Sequence, residues 1–93
     1  MTYNTPKHLQ ERPYHEVLCE AYEETILDTL DNMGKYSLSE ATLLKVLDRK
    51  VTPQFSYGFS YSVFKKAVEN LINKGKVYSF YQLAQNWYAN PLD

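Results

Sequence analysis

An α+β domain, three helices closed by a C-terminal β-hairpin, is the fold class this sequence predicts. Three observations predict it. Apolar residues recur at helical spacing in three segments, which open after Pro13, Ser39 and Ser60. Aromatic and β-branched residues gather in two short runs after Gly75. The chain of 93 residues is long enough for one modest core and no more.

Residues 1–12 show no periodicity and are expected to form a flexible arm, with the domain spanning 13–93. Pro13 suits the first helical position because it has no N–H to leave unbonded, and Gly34 suits the position just past a helix end. Between them His15, Leu18, Cys19, Tyr22, Ile26, Leu30 and Met33 share one stripe. Glu16, Glu20, Glu23, Glu24 and Asp31 lie on another side, with Leu27 expected to be exposed among them. Tyr36 and Ser37 read as a short extended link. Ser39 is the expected cap of the second helix, against a competing box of Ser37 with Glu40, and Thr52-Pro53 ends it. Ser60 caps the third helix and Gly75 closes it, with Phe64, Ala67, Val68, Leu71 and Ile72 as its apolar stripe. Residues 55–61 alternate aromatic and small side chains, so loop and strand both remain open. Lys76–Tyr81 and Asn86–Ala89 are the expected hairpin strands, joined by a loop at Gln82–Gln85. Phe80 and Trp87 are expected to pack onto the helices.

Composition excludes several classes. The hydrophobic fraction of 44% and charged fraction of 23% are those of a folded globular chain. No apolar run approaches the roughly 20 residues of a membrane span, and residues 1–12 lack the apolar centre of a signal peptide. One cysteine fits a reducing compartment, so the expected location is cytoplasmic. Residues 1–34 hold two basic and seven acidic side chains, whereas residues 35–93 hold eight basic and four acidic ones. Two faces of opposite potential follow.

The run from the third helix through LINKGKVY into an aromatic hairpin, carried by Val68, Leu71, Ile72, Gly75 and Val77, resembles the winged-helix (winged helix-turn-helix) superfamily over residues 13–90. That resemblance implies a third helix that enters the major groove of duplex DNA. The residue types on its polar side suit the task. Asn70 and Asn73 can read adenine, Glu69 can accept from cytosine, and Ser62 lies on the same face. Lys65 and Lys66 can hold phosphate or guanine, and Tyr57 and Tyr61 can donate to phosphate. The bland reading of this set is a solvated helix face. The hairpin carries no Lys or Arg after Lys76, unlike most wings that touch DNA.

Other constellations carry simpler readings. His15 and Cys19, four residues apart, have a metal-ligand spacing but no further ligand nearby, so core packing is favoured and no metal or cofactor is expected. The ladder of Glu16, Glu20 and Glu24 repels itself by a few tenths of a kcal/mol per pair. That makes Glu16, Glu20, Glu23, Glu24 and Leu27 a candidate surface for a basic protein partner. Residues 55–64 carry five aromatics that could stack on single-stranded nucleic acid, although Phe59 and Phe64 read better as core. No nucleophile with its base, phosphate-cradling loop or zinc motif is present, so no enzyme is expected. The sequence therefore points first to a DNA-binding transcriptional regulator acting through residues 60–74. A protein-interaction module using the acidic helix or the aromatic hairpin stands second. Homodimerisation is compatible with the first, since so small a domain reads few base pairs alone.

Overall fold

In the computed structural model, which describes residues 14–55 and 58–91, the elements follow in the order α1 (Tyr14–Met33), β1 (Leu38–Ser39), α2 (Glu40–Lys50), a 3₁₀ turn (Thr52–Gln54), α3 (Tyr61–Asn73), β2 (Tyr78–Gln82) and β3 (Gln85–Ala89). This is an α+β domain of three helices and a three-stranded antiparallel sheet of order β1-β3-β2. The expected arm at 1–12, the helix start at Pro13 and the candidate contact Tyr57 lie outside the described residues.

The long stripe of α1 buries Leu18, Cys19, Tyr22, Ile26 and Leu30, three or four residues apart as a helix requires. His15 has the right phase yet is exposed, a correction. It stands at the mouth of the groove between α1 and α3, where the core has not yet closed over the helix. Leu27 is also corrected: it is half-buried against the core, because the apolar arc of α1 is wider than the stripe alone. Gly34 adopts φ +64° beyond the helix end. There Asn90, from the far end of the chain, donates to the carbonyls of Leu30 (2.9 Å) and Gly34 (3.1 Å). One amide thus satisfies helix-end carbonyls that α1 itself leaves open.

The cap of α2 is Ser39, whose side chain accepts from the Thr42 N–H at 3.3 Å; the alternative box at Ser37 is not used. Leu43 and Leu47 are its buried residues. The extended link falls two residues later than the sequence predicts, at Leu38–Ser39, because there it can pair with β3 opposite Tyr88 and Trp87. Phe55 and residues 58–60 form no strand. The loop is held instead by Tyr22, whose hydroxyl accepts from the Ser60 N–H at 3.0 Å, and by Phe59, whose ring lies 5.3 Å from Tyr22 and 6.3 Å from Phe64.

In α3, Ser60 accepts from the Val63 N–H, and Phe64, Ala67, Val68 and Leu71 are buried. Ile72, placed in that stripe by its spacing, is 40% exposed on the shoulder facing the hairpin. The helix ends with Gly75 at φ +72°, where the Lys76 N–H bonds to Leu71 O and the Gly75 N–H to Ile72 O. This paired closure needs a left-handed residue, which glycine adopts without strain, and it reverses the chain into buried Val77 and the hairpin.

The hairpin departs from expectation in two respects. Phe80 and Trp87 do not join the core. They stack on each other at 6.3 Å with planes 7° apart, on the side of the sheet away from Tyr88, which is buried. Alternation along β3 allows only one of these two neighbours to face inward, and Tyr88 takes that place. The connecting loop is also shorter than Gln82–Gln85. Those two glutamines pair, leaving a two-residue turn of Leu83 and Ala84 at φ 55° and 63°. Two left-handed residues match the twist of a hairpin, but Asn-Gly fills such a turn with far less strain. Replacing Leu83-Ala84 by Asn-Gly should stabilise the domain by about 1–2 kcal/mol. The result is read as a higher urea midpoint at unchanged slope, and an unchanged midpoint would refute the strained turn.

A candidate nucleic-acid interface

The site is built from α3 outward. Its buried side faces α1 and the sheet, and its outward side presents Ser62, Lys66, Glu69 and Asn73, all exposed and spaced four, three and four residues apart. Tyr61 and Lys65 flank this row and are exposed too. Six of the eight residues expected to touch DNA therefore share one open surface. The other two are Tyr57, outside the described residues, and Asn70, which is half-buried.

Asn70 and Glu23 are drawn inward together. The Asn70 amide donates to Glu23 Oε2 at 2.9 Å and to Cys19 Sγ at 3.7 Å, while Lys74 Nζ lies 3.4 Å from Glu23 Oε1. Only 15% of the Glu23 side chain is exposed. The two residues clasp α1 to α3, which removes Glu23 from the expected acidic docking surface and occupies the amide expected to read bases. Glu16, Glu20 and Glu24 stay exposed. The groove between these helices is lined by Glu16, Glu20 and Glu23 on the α1 side and by Lys66 and Lys74 on the α3 side, so its charge is mixed. Burial foremost, then the neighbouring Glu23 carboxylate, pushes the Cys19 thiol up to about 11. At neutral pH it is a protonated thiol, not a ready nucleophile. Among the described residues no group of three or more His, Cys, Asp or Glu side chains is arranged to hold a metal ion.

On the opposite side of α3 lies the feature that sequence reading missed. Glu40, the first residue of α2, receives the hydroxyls of Tyr88 and of Tyr61 (2.8 Å), the Asn86 amide (3.4 Å) and the Lys65 ammonium (3.8 Å). Four donors from α3 and β3 thus converge on one carboxylate whose side chain is 17% exposed. Burial alone would raise the Glu40 pKa, but the two tyrosine hydroxyls, Lys65 and Asn86 outweigh it and hold the carboxyl below its ordinary value. Burial first, and then Glu40, raises Tyr88 in turn. The network ties the start of α2 to α3 and β3. No local pattern announces it, since the partners lie 21 to 48 residues from Glu40.

The lysines are only loosely held. Lys66 pairs with Glu69 at 3.8 Å on a surface where both are about two-thirds exposed, and such a pair contributes about 0–1 kcal/mol. Lys65 lies 3.8 Å from Glu40 and 5.8 Å from the Tyr61 ring centre. Lys66 can exchange its partner for a phosphate at small cost, whereas Lys65 would have to share its charge between Glu40 and a phosphate. Among the described residues no helix is long and apolar enough to cross a membrane. No protein-family model, curated protein or solved structure matches the chain, so its function has to be read from its own residues.

Proposed function

We propose that this chain is a winged-helix-type DNA-binding domain, a cytoplasmic transcriptional regulator that lays α3 in the major groove of duplex DNA. The observation that carries the reading is the uncovered row Ser62, Lys66, Glu69 and Asn73, with Lys65 beside it, on a helix braced on both flanks. A helix in a groove must be rigid behind and polar in front, and α3 has both properties. Helix, strand, helix, helix and hairpin in the strand order β1-β3-β2 agree with the resemblance read from the sequence. Lys65 and Lys66 make phosphate contacts, and Asn73 takes over the base-reading role that Asn70 cannot fill. The reading includes no catalytic step, metal or cofactor.

A second reading has its own support. The hairpin carries no charged residue and exposes Tyr78, Tyr81 and Leu83, while α1 exposes Glu16, Glu20 and Glu24. A protein partner, basic toward α1 or apolar toward the hairpin, would suit these surfaces better than a phosphate backbone.

Fluorescence anisotropy against a randomised duplex pool, then the selected site, at two salt concentrations, separates the two. Exchanging Lys65 and Lys66 together for alanine should weaken binding to all duplexes and lower the salt slope by about one for each phosphate no longer neutralised. Asn73→Ala should instead relax discrimination, at a cost of about 1–3 kcal/mol on the preferred site. If no duplex binds the unmodified chain more tightly than about 10⁻⁴ M, the weak end of non-specific binding, the DNA reading fails and the protein-interaction reading replaces it.

A further inference from the structure

We infer that β2 is a self-association edge: two copies of this chain pair β2 with β2 antiparallel, about a two-fold axis at Phe80, into one six-stranded sheet. Such pairing does not depend on DNA binding. In the sheet order β1-β3-β2, the described residues place no strand on the outer side of β2. A free edge invites pairing, and natural proteins blunt one with Lys, Pro, a bulge or inward charge. The sequence YSFYQ of β2 has none of the charged or proline devices, and its register with β3 runs through all five residues without a bulge.

The phase of the hydrogen bonds fixes the register of such a pair. In a hairpin closed by a two-residue turn, the flanking pair Gln82 and Gln85 exchanges backbone hydrogen bonds, and the bonded pairs then alternate. Phe80 and Tyr78 therefore bond inward to β3, while Ser79 and Tyr81 present their N–H and C=O groups at the free edge. A second copy satisfies those groups when Ser79 of each faces Tyr81 of the other. Phe80 then faces Phe80 as the non-bonded pair at the axis, where side chains approach most closely.

The same register joins the aromatic surfaces. Phe80 already stacks on Trp87, and Tyr78 lies 5.8 Å from Phe80. Across the axis the rings run Trp87, Phe80, Phe80, Trp87 on one continuous face. Because β2 is uncharged, the symmetric pairing sets no like charges opposite each other, and a charged partner would find no complement there. The area sets the strength. Tyr78 and Tyr81 are 56% and 70% exposed, and with Phe80 and the strand backbone they offer on the order of 400 Å² per copy, against about 800 Å² in a standard interface. The dimer is accordingly weak, with a dissociation constant on the order of 10–100 µM.

Sedimentation equilibrium from roughly 10 µM to 1 mM should show the full chain passing from monomer to dimer mass in this range. F80K, which opposes two ammonium groups at the axis, should stay monomeric throughout, with an unchanged far-ultraviolet circular dichroism spectrum because Phe80 is outside the core. F80C supplies a second readout. Under mild oxidation it should give a disulfide-linked dimer well before Y36C, a control on the 75% exposed Tyr36 that precedes the opposite edge strand. Monomer mass up to 1 mM overturns the inference, as does crosslinking of F80C no faster than Y36C. A dimer that F80K leaves intact overturns it too, because its interface must lie elsewhere.

Discussion

Leu71→Ala should destabilise the domain by about 2–5 kcal/mol and lower the melting temperature by roughly 10–30 °C. Leu71 is 1% exposed and belongs to the one core cluster that draws on α1, α2, α3 and the hairpin. Its carbonyl also accepts the Lys76 N–H that closes α3. Removing the side chain leaves a cavity near the place where the helix turns into the sheet, which the surrounding core fills only in part. Ile72→Ala, one residue along and 40% exposed, should cost much less. Thermal melts of the two variants check the helical phase directly. Equal losses would mean that α3 is rotated about its axis relative to the orientation described.

Glu40→Ala should cost about 1–3 kcal/mol, because it leaves the part-buried Tyr88 and Asn86 donors without their acceptor, while water can take the place of Glu40 at exposed Tyr61. Glu40→Gln keeps an acceptor oxygen and the shape, so it should cost less and isolates the charge. The folded-state pKa of Glu40 is lowered from 4.5. Its charge therefore stabilises the fold fully above pH about 4.5, and this contribution fades as pH falls through the lower folded value. In urea titrations at pH 7, 5 and 3, the gap between the unsubstituted chain and E40Q should be constant down to about pH 5 and narrow at pH 3. A gap that does not change with pH would assign the role of Glu40 to hydrogen-bonding shape alone.

These two residues differ in how far the sequence reveals them. Leu71 is legible because its neighbours in the apolar stripe are three and four positions away, and Gly75 marks where the stripe must stop. The caps Ser39 and Ser60 are legible for the same reason, since each bonds to an N–H three residues on. Glu40 is not legible as a hub. Its residue type suits the first turn of any helix, where it complements the dipole. Only closure of the sheet brings Tyr88 to it from 48 residues away.

The candidate interface divides in the same way. Spacing alone placed Ser62, Lys66, Glu69 and Asn73 on one side of a helix, and that side is open. The same spacing grouped Asn70 with them, although its place at the margin nearer α1 carries its amide to Glu23. An asparagine at the margin of a polar face has no local feature that says whether solvent or a neighbouring helix will meet it. Phe80 and Trp87 failed as core residues for a related reason. Both are large and apolar, but which face of a strand turns inward depends on register, and register depends on the turn.

By itself, then, the sequence determined the order of the described helices, the cap of α3, the glycines that close α1 and α3, the existence of the hairpin and most of the core. Each of these rests on interactions within about one turn of helix or along one strand, where spacing and residue type suffice. The tertiary structure alone decided which carboxylates became internal clasps, which aromatic residues were left outside, and which strand edge is open among the described residues. Those outcomes depend on which elements meet, and residues 21 to 60 positions apart meet only after the chain has folded.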